Sequence, residues 1–213
     1  MTRVAVDWQQ ETKIYQRPHP RLAQMARLIR SLPHRRILDV GCLTGMLGTL
    51  LPADFDYYGC DVADHAGKVL APGHFRRIDF NQSADLSFFR DANVGLISIG
   101  GVLEYLERPQ ELLRAARNIV APGGHLAVTI INFESQKFSR PSEHHPGWIY
   151  KPRLDELRET IAHSGWAIQR QMPFFGQRPL RRWLASAWGS RLGVDHPLTR
   201  RRADQFILLA QAV

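Results

Sequence analysis

The stretch Arg36-Ile37-Leu38-Asp39-Val40-Gly41-Cys42-Leu43-Thr44-Gly45-Met46-Leu47-Gly48 decides how the rest of the chain reads. Ile37, Leu38 and Val40 form a short apolar run with one acid, Asp39, near its end, as in a buried strand of a parallel sheet. Gly41 and Gly45 follow at once, and an apolar run through Leu47, Leu50 and Leu51 predicts a helix that stops at Pro52. A strand, a glycine turn and a helix bring backbone close to a nucleotide-like ligand at the carboxyl edge of the sheet. Two phosphate-binding versions of this unit are disfavoured. Leu43 and Met46 stand where a dinucleotide fingerprint needs its second and third glycines, and no Gly-Lys-Ser/Thr ending is present for a P-loop. What fits is a ligand without phosphate, held by the loop backbone and Asp39; a plain tight turn is the alternative.

Two further strands end in acids. Asp56-Tyr57-Tyr58-Gly59-Cys60-Asp61-Val62 places Asp61 about 20 residues beyond the glycine loop, the interval at which a strand-end carboxylate meets ribose hydroxyls. An ionised carboxylate only accepts, so it suits two hydroxyl protons. Phe75-Arg76-Arg77-Ile78-Asp79-Phe80 reads as a third strand and repeats the pattern with Asp79. Val94 to Ile99 is a fourth, buried strand, followed by Gly100-Gly101-Val102-Leu103-Glu104-Tyr105-Leu106-Glu107-Arg108-Pro109. Pro109 suits the first turn of a helix through Leu112, Leu113, Ala116 and Ile119. Ala121-Pro122-Gly123-Gly124 then turns into the strand from His125 to Asn132.

These segments together resemble class I S-adenosylmethionine-dependent methyltransferases of the small-molecule, ubiquinone-pathway O-methyltransferase type. The first stretch resembles the family's Asp/Glu-x-Gly-x-Gly-x-Gly motif in its Gly-Cys-x-Thr-Gly form, with Leu43 at the middle glycine. Residues 102–109 and 120–126 resemble its Val-Leu-Glu-His-Leu-x-x-Pro and Leu-x-Pro-Gly-Gly-x-Leu motifs, with Tyr105 in place of histidine and Gly95 in place of the strand-start acid. The resemblance covers about residues 33–213. It implies an α/β fold, a Rossmann-like three-layer sandwich whose seven-stranded sheet is parallel except for its last strand. It also implies S-adenosylmethionine as cofactor, held by Asp39, Gly41, Cys42, Thr44, Gly45 and Gly100, with Asp61 and Val62 at the ribose and Asp79 and Phe80 at the adenine. No metal is implied.

Composition bounds the rest. The chain has 213 residues, 44% of them hydrophobic, enough for one full core and short for two. The expected organisation is one domain over 1–213, with an N-terminal helix 17–32 and a cap insert 174–203. Apolar positions Leu22, Met25, Ala26, Ile29 and Leu32 have helical spacing, and Pro33 ends the run. Cys42 and Cys60 sit at strand ends and read as small buried hydrophobes in a reducing compartment. With no apolar signal core near Met1 and no span of about 20 apolar residues, the expected location is cytoplasmic. Net charge is +8, and the insert holds seven arginines against the single Asp195, six of those eight charges. Leu180, Trp183, Leu184, Ala187, Trp188 and Leu192 fall on one helical stripe there, with Arg178, Arg181, Arg182 and Arg191 largely off it. Such a helix suits either a cap over the substrate or peripheral contact with an anionic membrane through 178–192.

The expected activity is methyl transfer to a small molecule, with O-methylation of an anionic or amphiphilic acceptor favoured and the chain a monomer or homodimer. A hydroxyl acceptor needs a base, and His145, with His144 in reserve, falls in the His-x-x-aromatic-apolar pattern 145–149 that the family shows at this place. Two other classes stay open. One is an RNA- or protein-directed methyltransferase using the arginines as a clamp, although nucleic acid is not the expected partner. The other is a non-catalytic, cofactor-binding partner subunit.

Overall fold

The protein is seen here as a computed structural model that describes residues 6–10, 19–138, 145, 147–176 and 193–213. Its chain order is α1 (Pro20–Arg30), β1 (Arg36–Val40), β2 (Asp56–Asp61), β3 (Phe75–Arg77), β4 (Leu96–Gly100), α2 (Pro109–Ile119), β5 (His125–Ile131), α3 (Leu154–Ala162), β6 (Trp166–Phe174), α4 (Pro197–Arg202) and β7 (Gln205–Ala212). The strands form one sheet in the order β3-β2-β1-β4-β5-β7-β6. β7 is antiparallel to both its neighbours, and every other pairing is parallel. The expected α/β sandwich and its inverted last strand are therefore present. β1 and β4 lie side by side while the chain runs outward from them in opposite directions, which opens a crevice at their carboxyl ends.

Alternation along the strands divides the core between two faces. Ile37, Leu96 and Ala127 meet Met25, Ala26 and Ile29 of α1, and Ile207 and Leu209 meet Leu28. On the other face Leu38, Val40, Ile97, Ile99, Val128 and Leu208 join Leu112, Leu113 and Ala116 of α2 and Leu157 and Ile161 of α3. α1 begins cleanly because Pro20 occupies its first turn and His19 Nδ1 accepts from Arg21 N at 3.2 Å.

Two expectations change. The helix predicted after the glycine loop shrinks to turns and a three-residue 3-10 helix, Gly48–Leu50. Gly45 at φ +73° and Leu43 at φ +45° hold that segment left-handed, so helical hydrogen bonding cannot start until little chain remains before Pro52. β3 ends at Arg77, two residues before Asp79, which instead opens a turn by accepting from Asn81 N at 3.0 Å. Most of the basic insert, residues 177–192 with both its tryptophans, and His144 lie outside the described residues. The described end of the insert is tied down: Arg200 pairs with Asp155 at 3.0 Å and Asp195 at 2.9 Å, and Arg158 with Asp195 at 2.8 Å. Among the described residues no helix is long and apolar enough to cross a membrane.

Candidate functional site

A cavity of about 310 Å³ opens at the β1/β4 crevice. Its floor begins with Gly41, whose N–H donates to Cys60 O at 2.8 Å and whose φ is +74°. A β-carbon at Gly41 would overlap Val102 Cγ2, so the turn leaves no room for a side chain. Leu43 adopts the left-handed backbone that glycine usually supplies. Three contacts hold it there: its N–H donates to Asp61 Oδ2 at 2.8 Å, its carbonyl accepts from Ala66 N at 2.9 Å, and its side chain is buried.

The acids differ in what they can still offer a ligand. Asp61 accepts one backbone N–H on each oxygen, Leu43 N on Oδ2 and Ala63 N on Oδ1, both at 2.8 Å. A carboxylate has about four acceptor sites, so two remain for hydroxyl donors. Burial raises its pKa against those two N–H groups. Asp39 is more enclosed, taking hydroxyls from Ser98 and from Tyr57 (2.5 Å). Burial is the largest cause lifting its pKa to about 6, with the hydroxyls opposing. Asp39 faces a small hollow of about 20 Å³ that shares Gly41, Leu43 and Gly100 with the main cavity. The same hollow receives Arg21, a buried arginine whose Nη1 donates to Gln205 Oε1 at 3.3 Å while its Nε has no partner. A buried guanidinium N–H without an acceptor is costly, and a carboxylate there would satisfy it.

Glu104 holds the far wall. It is buried, its Oε1 accepts from Ile131 N at 2.8 Å, and burial raises its pKa. Its carbonyl accepts Ile149 N at 2.7 Å and Tyr150 N at 3.1 Å, which fastens the 147–150 loop beside the cavity. Next in sequence, Tyr105 lies edge-on to Trp8 (centroids 4.7 Å) and to His145 (5.7 Å). Asn81 braces the same turn, donating to Tyr105 O and accepting from Glu107 N, both at 3.0 Å.

Of the residues singled out from sequence, Gly41, Asp61, Val62, Asp79, Phe80 and Gly100 line the main cavity. Asp39 and Cys42 line the adjoining hollow. Thr44 and Gly45 support the loop without lining either space, and Thr44 Oγ1 is buried without a partner. His145 is not a lining residue; its Nδ1 accepts from Gly147 N at 3.1 Å, so a neutral ring carries its proton on Nε2. Burial lifts the thiol pKa of both Cys42 and Cys60 well up, consistent with inert packing. Sequence reading missed Arg21, Asn81 and Trp8. Arg21 had one available signal, a charge next to the apolar stripe of an otherwise amphipathic helix; the other two had none. No lysine or arginine lines the main cavity among the described residues, and these hold no cluster of three or more metal-ligating side chains.

A family model described as a methyltransferase domain matches residues 9–187. A ubiquinone biosynthesis O-methyltransferase from Pectobacterium atrosepticum is 28% identical over 59% of this chain and 55% of its own length. The chain thus spans about half the length of the curated relatives it matches. Among solved structures, a SAM-dependent methyltransferase from Archaeoglobus fulgidus superposes with a TM-score of 0.68 at 14% identity, covering 94% of this chain and 97% of that one. The N-methyltransferase NodS from Bradyrhizobium japonicum, solved with S-adenosyl-L-homocysteine, gives 0.57 at 18% identity over 99% and 94%.

Proposed function

Since the chain belongs to the methyltransferase domain family, we propose that it transfers the methyl group of S-adenosylmethionine to a small, amphiphilic acceptor. The observation that carries this reading is the convergence of Asp61, Asp79, Gly41 and Gly100 on one cavity, with Arg21 in the adjoining hollow. These residues fit the donor. Asp61 has capacity left for two ribose hydroxyls, Asp79 and Phe80 offer an acceptor and a ring face for a base, and the unpartnered Arg21 Nε suits an α-carboxylate. Asp39 beside Arg21 balances that charge and suits an ammonium group, whose positive charge would oppose the upward shift that burial causes.

The bound donor supplies a methyl group already activated by a positive sulfur. The chain's task is then alignment and exclusion of water, and positioning of this kind supplies on the order of 7–11 kcal/mol of a barrier. Val102, Tyr105, Ile149 and Trp8 give the remaining wall an apolar and aromatic character. Among the described residues carboxylates face the cavity and no lysine or arginine does, and its apolar and aromatic wall suits the apolar part of an amphiphilic acceptor. Incubating the purified protein with labelled donor and a cell extract, then separating lipid, polar and macromolecular fractions, tests this directly. Label should appear in the small-molecule fractions; label only in protein or RNA overturns the reading.

For a hydroxyl acceptor, His145 is the proposed base. It must release Gly147 N–H before Nδ1 can take a proton. His145→Ala should then lower turnover of a hydroxyl acceptor by about 100-fold and remove the acidic limb of its pH–rate profile. An acceptor that attacks as a neutral amine should be little affected. Contact of residues 178–192 with anionic membranes rests on the sequence pattern alone. Co-sedimentation with anionic liposomes that weakens with salt, and is lost in Trp183→Ala/Trp188→Ala, is its test.

A further inference from the structure

The main cavity has a roof that no motif of the sequence foreshadowed. Residues 6–10 cross its mouth, with Val6 and Trp8 lining it from above. On the ribose side the segment is pinned reciprocally by Gln9: its Nε2 donates to Asp64 Oδ1 at 2.7 Å, and its Oε1 accepts from Asp64 N at 3.3 Å. His65 Nε2 lies 3.3 Å from Trp8 O. Asp64 and His65 come directly after the strand that delivers Asp61, so this anchor sits on the wall expected to hold the cofactor's ribose. On the opposite wall the Trp8 ring stands edge-on to Tyr105, and Val6 lies so close to Gly147 that a β-carbon there would be 2.5 Å from Val6 Cγ2.

A segment fixed at both walls of a cavity, yet with exposed polar contacts and no regular secondary structure, has the attributes of a closing element. The Gln9–Asp64 hydrogen bonds are exposed, so water can replace them at small cost. What lies beneath it is shielded only while those contacts hold. We infer that residues 6–10 form a gate over the cofactor, with Trp8 as its plug and the Gln9–Asp64 pair as its latch. The inference rests on the proposed binding of S-adenosylmethionine in this cavity and adds a consequence that binding alone does not carry. The demethylated product, S-adenosylhomocysteine, leaves only when the gate opens, so the latch sets its dissociation rate. The acceptor wall is coupled to that step, because the plug leans on Tyr105.

The test is the dissociation rate of S-adenosylhomocysteine from the full chain, measured by stopped-flow displacement. Removing the plug's apolar area and its ring contact in Trp8→Ala should speed release by about 10- to 100-fold. Gln9→Ala, which loses only the exposed latch, should speed it by about 3- to 10-fold. Trp8→Phe, keeping an aromatic plug, should stay within about threefold of the wild type. Amide exchange over 6–10 should slow when the ligand is added to the wild type and not to Trp8→Ala. If Trp8→Ala does not fold, Gln9→Ala and the exchange measurement decide. Wild-type protein that binds S-adenosylhomocysteine while both alanine variants release it at the wild-type rate overturns the gate and leaves the binding reading intact. Wild-type protein that does not bind it at all removes both.

Discussion

The two walls of the cavity are built on different principles. The wall around Asp61 is made by short-range chemistry: a carboxylate at a strand end, two backbone N–H groups from the turns on either side, and a glycine loop that starts where the strand stops. The wall around Tyr105 is assembled from distant parts of the chain. Trp8, Tyr105 and His145 meet ring against ring, and Glu104 fastens residues 131, 149 and 150 around them. Buried charge hydrogen-bonded by backbone is stiff and makes specific demands on residue type. A wall of aromatic edges tolerates exchange of one ring for another, as where Tyr105 stands in the place of the family's histidine. The first wall suits the proposed cofactor, and the second the proposed acceptor.

The most severe way to break the contrast is Asp61→Ala. It removes the two ribose contacts proposed for this carboxylate, each worth roughly 1.5–3 kcal/mol when charge-assisted, and also the acceptor for Leu43 N. Affinity for S-adenosylhomocysteine, measured by calorimetry, should fall about 30- to 1000-fold in a partly wet site. Asp61→Asn keeps one carbonyl for the loop or the ribose and should lose less. Unchanged binding in the alanine variant would remove Asp61 from the cofactor site.

How far each wall was legible in the sequence follows from the same contrast. Asp39, Gly41, Asp61 and Asp79 could be picked out because strand ends and turns put them at fixed offsets, and their chemistry is local. The seven-stranded sheet with its inverted last strand was legible only through the family resemblance that these motifs carry, and its strand order is seen in the structure. Leu43 looked like a defect in the loop; in place it keeps the left-handed geometry, with Asp61 holding its N–H. The expected helix after the loop failed because left-handed backbone used up the chain it needed. Asn81 and Trp8 were not legible, and Arg21 left only the trace of a charge beside its helix's apolar stripe. Arg21 reaches the hollow from a helix that looks like any amphipathic surface helix, and Trp8 meets Tyr105 across almost a hundred residues. No local pattern records such meetings.

A milder break tests whether the stiff wall depends on its neighbour. Gly41→Ala puts a methyl group into Val102 and forces an alanine to φ +74°. Left-handed strain of about 1–2 kcal/mol and overpacking of about 1–3 kcal/mol should together cost about 2–5 kcal/mol of stability, read as a lower urea midpoint at unchanged slope. Adding Val102→Ala relieves the overlap and leaves the strain, so it should recover roughly half of that loss. Full recovery would mean that the backbone angle carries no cost, and no recovery that Val102 is not the obstacle.

The smallest effect is expected where the two walls share a support. α1 carries Arg21 into the hollow, and its start is capped by His19, whose Nδ1 accepts from Arg21 N and whose ring lies against Phe174 (centroids 5.8 Å). Burial first, then the positive charges of Arg21 and Lys137, lower the pKa of His19 to about 4. A base depressed in the folded state binds its proton more readily when unfolded. Its contribution is therefore fully present above the unfolded value near 6.5 and is lost as pH falls from there to about 4. The shift corresponds to roughly 3 kcal/mol at face value, but the ring is only partly buried, and solvent screening should leave about 1 kcal/mol. Asp39, raised to about 6, works in the opposite direction over part of the same range. His34 and His125, lowered by burial and 2.9 Å apart, work in the same direction as His19. Those groups are common to the wild type and His19→Asn, and asparagine can still cap the helix without titrating. The difference in urea stability between the two proteins should therefore shift by about 1 kcal/mol between pH 7.5 and pH 4.5, with the wild type losing more on acidification. A difference that does not change with pH would mean that His19 titrates alike in the folded and unfolded chain, and that the helix carrying Arg21 is anchored without it.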